Sequence, residues 1–220
     1  MKSVTTAVIV GMKGTGKSTL LRGMARKATR LFVLDTMREH GGEVEHVYTD
    51  AHALSAFFQT NARGPWRVAF QPDLRSQTQF DAACGVVWEL GNCLLIIDEV
   101  DLWTAAGQMP DSLYQILMLG RHRGINMVCT CRRPANMPLS WRSQADTWAV
   151  FRVLCGADID ALEAASVPCV RRVAELPRFQ FLWRRHEEDV TAIGEIQPDG
   201  SVRLIKRLAA TMARAAREEA

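Results

Sequence analysis

The run Gly11-Met12-Lys13-Gly14-Thr15-Gly16-Lys17-Ser18 fills every fixed position of the pattern GxxxxGK[ST]. Residues of these types at this spacing suit the cradling of a polyphosphate. Gly11, Gly14 and Gly16, with Thr15 between them, let backbone N–H groups turn inward around a β-phosphate, and a helix starting at Lys17 adds its positive end. Lys17 is then expected to reach the β- and γ-phosphates, Ser18 to offer its hydroxyl to Mg2+, and Thr19 to touch the α-phosphate. Far downstream, Leu94-Leu95-Ile96-Ile97-Asp98-Glu99 sets two carboxylates at the end of an apolar strand. Asp98 is expected to hold Mg2+ through water and Glu99 to polarise the attacking water. That pair favours hydrolysis of ATP over transfer of its phosphoryl group to a second substrate. Lys13 invites comparison with loops of the form KGGxGK[ST], but KGTGK is one residue shorter, so Lys13 reads as a solvent-facing loop residue.

These side chains need elements to hold them. Residues 4–10 are β-branched and apolar and are closed by Gly11, which predicts a buried strand ahead of the loop. Leu20, Leu21 and Met24 give one apolar face to a helix over residues 17–29. A second short buried strand is expected over residues 31–34, ended by Asp35, then a loop over 36–50, a helix over 51–60 and a strand over 66–70 stopped by Pro72. Ser76 reads as the cap of a helix running to about residue 90, and residues 94–98 form the most hydrophobic strand, of the kind that lies central in a parallel sheet. A helix over 113–121, a strand over 126–131 ended by Pro134, a strand over 147–153 and a helix over about 157–165 continue the alternation. Residues 179–183 and the turn around Pro198-Asp199-Gly200 predict a terminal β-hairpin, and residues 208–220 a helix or a frayed tail. The expected fold is α/β, a P-loop NTPase with a doubly wound, mainly parallel sheet. One domain is expected over residues 1–220, with its core about 1–165 and a C-terminal extension about 166–220.

Composition narrows the setting. The longest apolar run is far short of the ~20 residues that cross a bilayer, and the N-terminus leads straight into a strand rather than a signal peptide. A cytosolic protein without an intrinsic membrane span is expected. Six cysteines show no CxxC pair and sit mostly in apolar stretches, so they read as free thiols. Net charge is only +3, but arginines cluster between residues 121 and 185 with Arg132-Arg133, Arg171-Arg172 and Arg184-Arg185 as pairs. Such a cluster is either a surface for phosphate backbones or an ordinary solvated face.

Three further stretches resemble one family. Leu31-Phe32-Val33-Leu34-Asp35-Thr36-Met37-Arg38-Glu39-His40-Gly41 resembles the second strand of the FtsK–HerA ATPases, where an Asp ends the strand and an acid follows. Leu119-Gly120-Arg121-His122-Arg123-Gly124-Ile125-Asn126 is similar to their GRxxGI helix end, and Cys129-Thr130-Cys131-Arg132-Arg133-Pro134 to their SQRP strand end. Gln144 to Arg152, followed by Asp158 and Asp160, is similar to the next strand and helix. With the loop and the acidic strand, residues 4–134 follow the family order.

The resemblance implies a RecA-like (ASCE-type) core in a homo-oligomeric ring, usually a hexamer, that pumps double-stranded DNA. It implies ATP sites between subunits, each completed by an arginine of the neighbour. Arg121 takes that role by position, with Arg123 as second choice. Where the family usually carries Gln at the strand end this chain has Arg132, and a guanidinium donates but cannot accept. Arg132 therefore either contacts phosphate directly or is free for another task. A bare motor domain of this length resembles the genome-packaging ATPases of membrane-containing icosahedral viruses, which adds a viral capsid or membrane-vertex protein to the implied partners. Two other functions compete: a Zot-like or conjugation-type assembly ATPase, which normally carries a transmembrane segment, and a small-molecule P-loop kinase, which would need an Arg-rich lid and an acceptor pocket. Stimulation by double-stranded DNA separates them.

Overall fold

Alternation along the strands decides the architecture. In β1 (Thr6–Val10), Val8 and Val10 enter one core while Ala7 and Ile9 enter another, as the two-residue period of a strand requires. β2 (Arg30–Leu34) divides in the same way, Phe32 and Leu34 against Leu31 and Val33. Strands apolar on both sides must be covered on both sides. The computed structural model describes residues 6–104 and 108–208 and shows that cover.

The remaining strands are β3 (His46–Tyr48), β4 (Trp66–Phe70), β5 (Leu94–Ile97), β6 (Asn126–Cys131), β7 (Thr147–Val150), β8 (Gln180–Arg185), β9 (Val190–Ile196) and β10 (Val202–Leu208). The helices are α1 (Lys17–Ala25), α2 (Ala51–Asn61), α3 (Gln77–Leu90), α4 (Asp111–Leu119), α5 (Leu139–Gln144) and α6 (Gly156–Ala164). The ten strands among the described residues form one sheet in the order β10-β9-β8-β7-β1-β6-β5-β2-β4-β3. From β7 to β3 the pairing is parallel, and β8, β9 and β10 continue it antiparallel. α2 to α6 lay Leu54, Phe80, Leu113, Trp141 and Leu162 on one face. On the other face α1 brings Leu20 and Leu21, and Phe181 and Ile196 of the antiparallel strands close over it beside Phe151.

The chain is thus the expected mainly parallel α/β sheet of a P-loop NTPase, with differences in detail. Ser76 accepts from Gln79 N and caps α3 as its position suggested. The 36–50 loop contains β3, which gains its bonds from β4. The terminal hairpin is a three-stranded meander, because Val190–Ile196 forms a strand despite Gly194. That glycine lies against the Phe181 ring, where a Cβ would stand 3.0 Å from Cζ. The first residues of the expected opening strand and residues 209–220 of the expected terminal helix or tail lie outside the described residues. Among the described residues no helix is long and apolar enough to cross a membrane. All six cysteines are free, and burial raises the thiol pKa of Cys84, Cys93, Cys129 and Cys131.

The β9–β10 turn docks on α1 through a glycine pair: a Cβ on Gly23 would fall 2.1 Å from Gly200 O. Gly23→Ala is expected to force the turn off the helix and destabilise the protein by about 1–3 kcal/mol, the usual cost of overpacking. Urea unfolding measures this, and an unchanged midpoint would mean that the turn is not held there.

Candidate active site

The phosphate loop is pinned between two strands. Gly11 N donates to Cys131 O on β6 (3.3 Å), and Met12 N donates to Arg152 O just past β7 (3.1 Å). Gly14 and Gly16 adopt φ of 78° and 120°, where an L side chain is strained, and a Cβ on Gly11 would meet Phe151 Cβ at 2.7 Å. Gly16 precedes α1 without any side-chain cap, so the first N–H groups of the helix are left for a ligand. Thr15 Oγ1 donates to Met12 O (2.8 Å) and braces the turn. Lys17 is buried and folds back over the loop, its Nζ donating to Gly11 O (2.8 Å) and Met12 O (3.2 Å). Burial lowers its pKa, against the pull of Glu99 and Asp98. Ser18 and Thr19 follow in the first turn of α1.

β6 stands between the loop strand β1 and the acidic strand β5, and one of its hydroxyls organises both acids. Thr130 Oγ1 donates to Asp98 Oδ1 (2.7 Å) and accepts from Glu99 N (2.8 Å). Burial opposes the Asp98 charge, but the nearby His40 imidazole and the hydrogen bond from Thr130 outweigh it and hold the carboxyl below its ordinary range. Glu99 has φ 54° and ψ 57°, left-handed backbone that side chains rarely adopt and that tends to cluster at active sites. Burial raises its pKa, while Arg132 and Lys17 pull the other way. Arg132 Nε sits 2.8 Å from Glu99 Oε2, so the arginine in the family's Gln position holds the candidate base itself.

Asp35 lies behind these groups, fully buried, and accepts from Glu39 N (2.9 Å), His40 N (3.3 Å) and Gln71 Nε2 (3.0 Å). Those bonds fold the following loop so that His40 Nε2 comes to 3.6 Å from Asp98 Oδ2 and His40 Nδ1 to 3.7 Å from Glu43 Oε2. Glu39, the acid that follows in the family pattern, is exposed and contributes its backbone rather than its carboxylate. A hydroxyl and an ionised carboxylate are the hard oxygen ligands that Mg2+ takes, so Ser18 and Asp98 fit that ion, and the uncapped loop with Lys17 fits a nucleotide polyphosphate.

Arg121 and Arg123 occupy a different end of the sheet. They lie in a 3-10 turn, Gly120–Arg123, that leads into the start of β6, whereas the loop meets the last residue of that strand. The six residues of β6 span about 20 Å, too far for either arginine to serve its own loop. Arg123 is committed internally: it donates to Trp88 O (3.0 Å) and Glu89 O (2.8 Å) and stacks on the Trp88 ring. Arg121 is exposed, with His122 Nε2 3.4 Å from its Nε.

Most paired arginines are also spoken for. Arg133 holds Asp158, Arg171 holds Asp160 and Glu163, Arg184 holds Asp189 and Arg185 holds Glu188. Asp158 additionally accepts from Ala135 N (3.1 Å) and so fixes the turn after β6. The sequence reading missed Thr130 as the link between the acids, although a polar residue near the end of an apolar strand is a visible signal. It also missed His40, and Arg178 and Phe179, which reach the loop from the start of the C-terminal strands: Arg178 Nε donates to Gly14 O (2.9 Å) and Phe179 N to Thr15 O (3.1 Å).

No protein-family model and no curated protein matches the chain. Solved structures do. The genome packaging NTPase B204 from Sulfolobus turreted icosahedral virus 2, in complex with AMP, superposes with a TM-score of 0.68 at 17% identity, over 94% of this chain and 100% of that one. The same NTPase has been solved with AMPPCP and with ATP-gammaS. B204 described as the DNA-packaging ATPase from Sulfolobus Turreted Icosahedral Virus gives 0.61 at 19% identity, again over 94% of this chain and 100% of that one. The cytoplasmic domain of the Thermomonospora curvata type VII secretion ATPase EccC gives 0.53 at 12% identity over 93% of this chain and 24% of that one. At these identities the likeness is one of architecture, and the chain has the P-loop NTPase fold of the B204 packaging NTPases along nearly its whole length.

Proposed function

We propose that the protein is an ATP-hydrolysing ring motor that translocates double-stranded DNA, most similar in task to a viral genome-packaging ATPase. The observation that carries the reading is the arrangement around Thr130, on the strand between the loop strand and the acidic strand, which holds an ionised Asp98 and a strained, buried Glu99. In this reading Lys17 and the loop N–H groups bind the β- and γ-phosphates of ATP, and Ser18 and Asp98 hold Mg2+, which offsets charge on the phosphates. Glu99 takes the proton of the attacking water once it parts from Arg132. Arg121 supports it as a residue offered to the next subunit, since its own loop is out of reach. The architecture shared with packaging NTPases, solved with adenine nucleotides, supports both ATP and DNA as ligands. A homohexamer and a capsid or membrane-vertex partner belong to the same proposal, as does work in a host cytoplasm or a virion.

ATPase rate with and without double-stranded DNA, together with oligomeric state under the same conditions, tests it. DNA is expected to stimulate turnover and to favour the ring. A motor must pass over every base, so binding is expected to rest on phosphate contacts. The logarithm of its affinity should then fall linearly with log[salt], with little preference for sequence. Tight, salt-insensitive binding to one short sequence, measured by fluorescence anisotropy, would make it a site-specific factor instead.

A further inference from the structure

The segment that leads into β8 touches the phosphate loop at two consecutive carbonyls, through Arg178 to Gly14 and Phe179 N to Thr15. Phe179 is held from its other side as well, because Ile196 N donates to Phe179 O (2.9 Å). Its φ is 69°, a left-handed value that is an outlier for a bulky side chain, and strain of this kind tends to gather at ligand clamps. The ring lies beside the helix start: a Cβ on Gly16 would be 3.1 Å from Phe179 Cδ1. Despite that contact the residue stays 38% exposed, and the Arg178 guanidinium lies over the ring, 4.7 Å from its centroid. The result is a layered cation and aromatic ring on the rim of the loop, held in a strained backbone.

We infer that Arg178 and Phe179 form a base-stacking platform that makes this site one for nucleoside triphosphates rather than bare polyphosphate. The inference rests on the reading of the loop as a polyphosphate site. A triphosphate whose γ end faces Asp98 and Glu99 has its α end at Thr19, in the first turn of α1. That is the side on which the C-terminal strands pack, since a Cβ on Gly200 would stand 3.3 Å from Thr19 O. The nucleoside leaves the loop from this end, where the Phe179 ring stands beside Gly16. Rings and guanidinium planes both stack on bases. Stacking reads the face of a base and not its edge, so the platform separates nucleotides from bare polyphosphate and leaves adenine and guanine nearly equal.

Calorimetric titration with MgATP, MgGTP and magnesium tripolyphosphate tests this on the full chain. Phe179→Ala is expected to weaken ATP and GTP alike by about 5- to 100-fold, the scale of one lost base stack, while tripolyphosphate binds as before. Phe179→Trp is expected to keep the nucleotide affinity. Phe179→Leu, which keeps an apolar contact with Gly16 but offers no flat face, should behave like the alanine variant and carries the comparison if that variant misfolds. Equal weakening of tripolyphosphate and ATP would make Phe179 a mere support for the loop and overturn the platform, as would unchanged ATP binding. Wild-type protein that bound neither ATP nor tripolyphosphate would instead overturn the reading of the loop itself.

Discussion

Arg121→Ala is expected to fold and bind ATP yet hydrolyse it about 10³-fold more slowly, the loss seen when an arginine supplied by a neighbour is removed. A guanidinium at the transferring phosphoryl group offsets charge that water cannot reach in a closed site. The placement of Arg121 at the entry to β6 forbids that role within its own subunit. Mixing settles whose site it serves. In rings assembled from Arg121→Ala and Glu99→Gln chains, an intact Glu99 from the first can meet an intact Arg121 from the second, and part of the activity should return. An arginine acting in its own subunit could not give this rescue, because every site would keep one lesion. ATPase rate is followed against mixing ratio at fixed total protein with DNA present. A flat baseline at all ratios, in samples shown to exchange subunits, would sink the shared-site reading. Arg123→Ala should not reproduce the loss, since that side chain is tied to α3 through Trp88 and Glu89.

Glu99→Gln is expected to leave ATP binding intact and cut turnover at least about 10²-fold, the scale of losing a general base. The amide keeps the size of the side chain and can stay near Arg132, so the loss would report proton transfer rather than collapse of the site. Titration calorimetry for binding and steady-state assays for turnover make the comparison. A normal rate would move the task of activating water to another residue.

The loop and the acidic strand end were legible because their chemistry is local: spacing alone puts Gly11, Gly16, Lys17 and Ser18 on one turn and Asp98 and Glu99 at one strand end. The strands 66–70 and 126–131 were legible to the residue because their apolar runs end at clear breakers. What escaped depends on contacts between distant segments. β3 exists only through its ladder to β4. α5 has six residues and begins after Pro138, too short for a period to show. The partner of Arg132 is set by the juxtaposition of β5 and β6, and a long side chain could have gone elsewhere. Phe179 was legible only as the start of a strand, and its contact with the loop was not, since the strand begins one residue later and Phe179 N turns to Thr15 O.

The Thr130 hydroxyl has a mechanical consequence. β6 is hydrogen-bonded on both sides along its length, to β1 and to β5, so it links its two ends, about 20 Å apart, through a strand held on both edges. Its near end carries the turn of Arg121. Its far end carries the one oxygen that grips both the side chain of Asp98 and the backbone of Glu99. Any displacement of the Arg121 turn along this strand would therefore bear on both acids of the same subunit at once.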